Sequence, residues 1–546
     1  MKKYGIYLAY PPTVDMRAEG LGRHLAEFLK GAQARGDVRF VISCPSWMKE
    51  NLLELFNAAG VRHNSFEIIA PTNLPVLLRL YFSYSSFKKR NRKNISTSFF
   101  NWPSKLGNNL AAYAENKLVS SRSLLLASIL GFMLLPIILF VLLISYFKNA
   151  VTGIIAALYK FLRRTLRHNF ISKSLAMISR LVAQPKQDSL VMRMYRLMEQ
   201  SEVLLMRELI NARIDIAAWY CPTAFWPHFN NITAPRLMCV PDVVLTNFPV
   251  GFASIGGQRF HDNFRQVEKA IEGAEHFVTY SEDVKWRTLV ERYHVDSDVI
   301  KVVTHGANRL DELIKVIGFA DNEASTDLLC RNLFKMALCK AVNNGFAFNF
   351  GSGDVKFIFY ASQFRPNKNV ITLLKAYEYL LKRRYVSHKL VLTGNPNSLP
   401  EIAQFIVEHN LVNDVLCLHG LTAQELAACY RLADLAINPS LSEGGCPFTF
   451  TEALSVGTPV VMAKIPVTTE VLNDPSLDQA MFFDPYNWKD MATRIEWAIQ
   501  NHDELLNIQR PIYEKLAQRT WGNVVEDYIK VLDKISLTAD RIGESK

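Results

Sequence analysis

Residues 438–461 read NPSLSEGGCPFTFTEALSVGTPVV. A short apolar run, LAINPS (435–440), enters this stretch and breaks at Pro439; a glycine-containing loop carrying Glu443 follows. Glu452 is then expected to open a helix that closes at Gly457, before a second apolar run, TPVVMA (458–463). Strand, loop, helix, strand is the repeating unit of a parallel sheet. The same rhythm extends backward through VLCLHG (415–420), HKLVLTG (388–394) and VKFIFYAS (355–362), and forward to MFFD (481–484). Six such strands predict a doubly wound sheet in the C-terminal half.

The start of the chain repeats the pattern: YGIYLAY (4–10), a helix over 21–34, a strand over 38–43, a helix over 48–59 and a strand over 66–70. It stops near Thr72 and resumes near Asp215 with IDIAAWYC, APRLMCVPD, HFVTYSE (276–282) and VIKVVTHG (299–306). At 546 residues the chain exceeds what one hydrophobic core supports. The expected fold class is therefore α/β, with two doubly wound Rossmann-like domains facing a cleft and a hydrophobic helical insert in the first. The boundaries read as 1–307 for the N-terminal domain, interrupted by an insert over 72–190. A second Rossmann-like domain spans 308–520, and a C-terminal helix over 521–546 crosses back to the first domain.

The net charge of +11 resembles a nucleic-acid signature until it is located. Between Thr72 and Lys186 stand seventeen Lys/Arg and one acidic residue, Glu115, so the rest of the chain is net negative. The same insert holds the longest uncharged run, 123–147, between Arg122 and Lys148. As a straight helix that run would rise roughly 37 Å, enough for a bilayer. Basic residues flank it on both sides, as expected when both flanks face the cytosol. A hairpin over 123–162 dipping into the inner leaflet, with Gly131 and Pro136 near its bend, is the first expectation; two crossings and a buried helix pair are the alternatives. Grease beside positive charge points to membrane as a partner and away from nucleic acid. The expected location is the cytoplasmic face of the inner membrane. The N-terminus reads as a first strand, and eight scattered cysteines without a C-x-x-C pair read as buried thiols, with no disulfide and no zinc.

Loops at the carboxyl ends of parallel strands bind ligands, and carboxylates there accept paired hydroxyl hydrogen bonds from a ribose or hexose. Glu443 and Glu452 fit that use. In YASQFRPNKNVITLLKAYEYL (360–380), a strand runs into a loop bearing Arg365 and Lys368. Two fixed cations there stabilise a leaving diphosphate more as its bond breaks than before. Gly20 and Gly22, in AEGLGRHLAEFLKGA (18–32), allow close backbone approach to a ligand, with Arg23 and His24 following in the first helical turn.

These segments resemble the retaining, GT-B-fold glycosyltransferases of family 4. That family carries two glutamates separated by seven residues, then an E-A-hydrophobic-x-x-G-x-P-V tail, here EALSVGTPVV; in this chain eight residues intervene. The resemblance covers about 1–71 and 215–535, and includes TYSEDVKWRTLVERYHVDSDVIKVVTHGAN (279–308) and TWGNVVEDYIKVL (520–532). It implies that Glu452 holds ribose hydroxyls, that Glu443 with the backbone of Gly444, Gly445 and Cys446 approaches the transferred sugar, and that Arg365 and Lys368 bind the donor phosphates. Gly20 and Gly22 would face the donor across the cleft. Family members often carry a His-Asp pair where this chain has Pro241 and Asp242, so Asp242 either orients the sugar or acceptor hydroxyl or caps a strand end. The implied chemistry is same-face, retaining transfer from a nucleotide-sugar substrate to a glycan or lipid-linked acceptor, with no cofactor and no metal because the two cations replace one. A catalytically weak membrane-associated scaffold of the same fold is the alternative.

Overall fold

The computed structural model describes residues 1–12, 14–16, 20–79, 190–342, 355–445 and 448–544, together with Ser128. In the N-terminal lobe, seven parallel strands are ordered β3-β2-β1-β4-β5-β6-β7. They are β1 (Lys2–Tyr7), β2 (Val38–Ser43), β3 (Phe66–Ile69), β4 (Trp219–Cys221), β5 (Arg236–Cys239), β6 (Phe277–Thr279) and β7 (Ile300–Val302). The register places Ile6 between Ile42 of β2 and Tyr220 of β4. Consecutive residues of these strands are buried because helices cover both faces, which is why the strands read as unbroken apolar runs. Gly5 is required here: a Cβ would stand 2.1 Å from the Trp219 ring that packs over it.

Around this sheet lie α1 (Gly20–Arg35), α2 (Lys49–Ala58), α3 (Leu190–Asn211) and α4 (Pro249–Gly256), with a π-helix at Val284–Val290. β3 and β4 belong to one sheet although the sequence separates them by more than a hundred residues, as the interrupted strand pattern predicts. The hairpin expected over 123–162 lies outside the described residues apart from Ser128. Among the described residues no helix is long and apolar enough to cross a membrane.

The C-terminal lobe holds β8 (Phe357–Tyr360), β9 (Lys389–Leu392), β10 (Val415–Cys417), β11 (Leu435–Asn438), β12 (Val460–Ala463) and β13 (Phe482–Phe483), all parallel and ordered β10-β9-β8-β11-β12-β13. Its helices include α5 (Asn322–Leu338), α6 (Val370–Arg383), α7 (Phe448–Ser455), α8 (Pro466–Val471) and α9 (Trp488–Gln500). The last helix, α10 (Trp521–Glu544), buries Trp521, Val524, Tyr528 and Leu532 in the core of the N-terminal lobe. Its start touches the linker from β7: a Cβ on Gly306 would stand 3.1 Å from the Trp521 nitrogen. The chain thus crosses between lobes twice at one edge.

Strand order reverses between β8 and β11, and such a reversal splays the following loops apart and opens a crevice at the carboxyl ends of the strands. The loop after β8 carries Arg365 and Lys368; the loop after β11 carries Glu443. Topology alone therefore brings the two segments together.

Candidate active site

The loop after β8 is built around three polar residues. Pro366–Lys368 forms a single 3-10 turn, and Asn369 adopts φ 55°, a left-handed conformation that asparagine tolerates better than most residues. Asn367 donates from Nδ2 to the Ser442 carbonyl at 3.3 Å, while the Leu441 amide donates to the Asn367 carbonyl at 2.8 Å. Asn369 donates to the carbonyls of Pro439 and Pro485 at 3.1 and 2.8 Å. Lys368 is held between these two ties.

Its Nζ meets Glu443 Oε1 at 2.6 Å, with both side chains more than four-fifths buried. Burial works against the ammonium, but the Glu443 carboxylate outweighs it, and the Lys368 pKa lies above the ordinary amine value. Asp242, just beyond β5 in the facing lobe, completes the group. Burial pushes its carboxyl up to about 6; the Lys368 charge pulls it down, Glu443 adds to the rise, and Arg365 opposes it. Arg365 itself is exposed and donates to Gln363 Oε1 at 3.1 Å. Glu443, Lys368, Asp242 and Arg365 thus share one electrostatic neighbourhood.

Glu452 sits in a different setting. α7 begins at Phe448, so Glu452 lies in the middle of the helix and does not open it. Phe450, Ala453 and Leu454 supply the buried helical face, and this packing carries the helix back to Phe448. Glu452 Oε1 accepts from Arg23 at 3.0 Å and from Asn308 Nδ2 at 3.2 Å. Arg23 belongs to α1 of the opposite lobe and Asn308 to the linker, so this carboxylate is held from across the cleft.

The glycines divide as well. Gly20 opens α1 in open space, where a Cβ would meet nothing within 4 Å, whereas a Cβ on Gly22 would stand 1.9 Å from the Met16 carbonyl oxygen. Gly22 therefore serves the packing of α1 against the segment that precedes it. Gly444 lies against the Pro241 carbonyl, where a Cβ would approach to 1.9 Å, and its own carbonyl accepts from Ser281 Oγ at 3.0 Å. Gly445 packs on Tyr280 and His305. Cys446 lies outside the described residues. Behind the loop, His24, Tyr280, His305 and Trp521 form an aromatic cluster where the lobes join, with the Tyr280 and His305 rings 3.9 Å apart. Burial lowers the His24 pKa to about 4, and burial first, then the repulsion a second protonated imidazole at His24 would meet and the nearby Arg519 charge, hold His305 well below its ordinary value. Both imidazoles are neutral at physiological pH.

Asn308, Ser281 and Asn367 carry no sequence signal of their own; only the position of Ser281 and Asn308 in the stretch 279–308 points toward them. Among the described residues, no group of three or more His, Cys, Asp or Glu side chains has the geometry to hold a metal ion.

Comparison with known proteins adds to this geometry. Residues 346–515 match the family model described as Glycosyl transferases group 1. The serotype-specific mannosyltransferase WbdA of Escherichia coli is 27% identical over 199 residues, 35% of this chain and 24% of that protein. The O-antigen chain mannosyltransferase RfbU of Salmonella typhimurium is 25% identical over 212 residues, 39% of this chain and 48% of that protein. The match thus spans from about a quarter to half the length of these curated relatives. Among solved structures, a glycosyltransferase from Rickettsia africae ESF-5 aligns with TM-score 0.52 at 13% identity, covering 98% of this chain and 99% of that one. Sucrose-phosphate synthase from Thermosynechococcus elongatus aligns with TM-score 0.54 at 11% identity, covering 98% and 100%. Two parallel-sheet lobes, the crossing helix and these neighbours establish a GT-B fold whose second lobe is similar to the glycosyl transferases group 1 family over residues 346–515.

Proposed function

We propose that the chain is a retaining, metal-independent glycosyltransferase of family 4 type, moving a sugar from a nucleotide-sugar donor to a glycan or lipid-linked acceptor in surface polysaccharide synthesis. The observation that carries this reading is the Lys368–Glu443 pair, fixed at 2.6 Å at the strand-order reversal and facing Asp242 across the cleft. Lys368 and Arg365 take the diphosphate, and their charge counts most as the glycosidic bond breaks. Glu443, with the Gly444–Gly445 backbone and Cys446, positions the sugar. Glu452 takes the ribose hydroxyls, and Gly20 lies on the donor's other side. Asp242 orients the acceptor hydroxyl, whose proton leaves with the departing phosphate in a same-face attack. No cofactor enters; the nucleotide-sugar is substrate.

Mannose is the first donor sugar to test, because the curated relatives are mannosyltransferases. The excess positive charge and the uncharged run of the insert support membrane attachment at the cytoplasmic face and a membrane-proximal acceptor.

The deciding experiment is donor hydrolysis by the full chain against a panel of nucleotide sugars, with and without EDTA. Turnover of at least one donor, undiminished by the chelator, is expected; no turnover with any donor would falsify the reading. Carbonate extraction tests the membrane part, where complete release into the supernatant counts against it.

A further inference from the structure

A cavity of about 1050 Å³ opens between the lobes beside the Glu443 loop. Its walls are the loop after β12, the turn after β13, residues 441–443, the segment entering α4 and one face of the π-helix. That volume stands at the upper end of small-molecule pockets and exceeds what a single sugar ring fills. Six carboxylates and four cations line it, so an anion meets no net attraction there. The two signs face the same space. A polyol donates hydroxyl protons to the carboxylates and accepts from the guanidiniums, and so finds partners on all sides.

Two features make the wall a built surface. Tyr486 is 75% exposed on a pinned turn: its backbone amide donates to Asp484 Oδ1 at 2.9 Å, and the Asp484 amide donates to Asp490 Oδ2 at 2.7 Å. An exposed aromatic face on a pinned turn is suited to stacking on the C–H face of a pyranose. Arg494, half-buried, donates from Nε to the Phe482 carbonyl at 3.1 Å and lies 5.9 Å from the Trp497 ring centre. Glu443 belongs both to this wall and to the Lys368 pair, so a chain lying in the cavity ends at the proposed transfer site.

We propose that this cavity is a subsite for an uncharged oligosaccharide acceptor, holding the sugars behind the one that receives the transferred unit, with Tyr486 as stacking platform and Arg494 as fixed donor. The proposal rests on the transferase reading above.

The test uses the full chain, with α-mannose mono-, tri- and pentasaccharides as neutral probes and a hyaluronan tetrasaccharide as the anionic one, binding being measured by calorimetry. The trisaccharide is expected to bind wild type more tightly than the monosaccharide. Tyr486→Ala and Arg494→Met should each weaken the trisaccharide at least about fivefold with a smaller effect on the monosaccharide, and Tyr486→Phe should restore it. Absence of saturable binding of every neutral probe, tighter binding of the anionic one, or unchanged trisaccharide affinity in both variants overturns the subsite. Donor hydrolysis on the same preparations separates the two ideas: lost in wild type for all donors, the transferase reading goes; retained while length preference ignores Tyr486 and Arg494, only the subsite goes.

Discussion

Glu443 and Glu452 lie nine positions apart on one loop and helix, yet they meet partners of different origin. Glu443 is paired with Lys368 of its own lobe, and the Asn367 and Asn369 ties hold that pair in place. Glu452, 2% exposed, is reached by Arg23 from the other lobe and by Asn308 from the linker. The first arrangement survives any change in the angle between lobes; the second exists only while they are close. Within the transferase reading, the first pair belongs to the chemical step and the second couples donor capture to closure.

The largest expected effect breaks the first pair. Lys368→Ala leaves Glu443 without its cation and removes a charge from the leaving group, so kcat should fall at least about tenfold, on the order of 1.4 kcal/mol in the barrier. Glu452→Ala should lose at least about tenfold in kcat/KM, chiefly through donor KM. Steady-state kinetics on both variants checks the contrast. An unchanged rate in both removes the enzymatic proposal, and the reverse split, with Lys368 in KM and Glu452 in kcat, breaks the comparison.

Asp242 sharpens it from the acceptor side. With its pKa near 6, a pH–rate profile should show activity falling as pH drops through about 6, and Asp242→Asn should lower turnover by roughly five- to tenfold and erase that limb. The stability effect has the opposite sign. A carboxyl whose folded pKa is raised contributes stability that is fully present below its unfolded value and lost as pH rises through the folded one. The asparagine variant escapes that loss. Its melting temperature should therefore exceed that of wild type above about pH 6 and converge with it toward pH 4, which thermal melts across that range would reveal.

How far these residues can be read from sequence follows from the range of the contacts involved. Both sheets are legible because buried parallel strands leave dense apolar runs, and strand order then forces the loops of Lys368 and Glu443 together. Sequence reads Gly20 and Gly22 as a turn, whereas both fall in the first turn of α1 and the contact across the cleft is made by Arg23, which sequence shows only as a first-turn residue. Asn308 and Ser281 are single polar residues whose partners lie far away in sequence, and no periodicity marks them. Sequence reads Glu452 as the start of the helix that follows the Glu443 loop; burial of Phe450 with Ala453 and Leu454 moves the start back to Phe448.

Arg23→Met tests the second arrangement directly. Removing the guanidinium frees Glu452 from the opposite lobe, so donor KM should rise about threefold with kcat nearly unchanged, since a half-exposed ion pair contributes modestly. Arg23→Lys should recover part of the loss because it keeps the charge without the planar fork. A fall in kcat without a change in KM would move Arg23 to the chemical step.

The smallest expected effect lies at a third contact between lobes, away from both glutamates. Glu470 on α8 accepts the backbone amides of Glu282 and Asp283 at 2.8 and 3.0 Å, at the entrance to the π-helix. Those amides precede the helix and have no partner within it, so a facing carboxylate satisfies two donors at once. Glu470→Gln keeps one acceptor oxygen and loses the charge, and should cost about 1 kcal/mol, read as a melting temperature lower by a few degrees. Because this contact, like Arg23–Glu452, exists only with the lobes together, saturating nucleotide should restore part of the lost melting temperature in Glu470→Gln. Were nucleotide to stabilise wild type and variant equally, Glu470 would be a local cap with no part in closure, and coupling between the lobes would rest on Arg23, Asn308 and the Ser281–Gly444 bond.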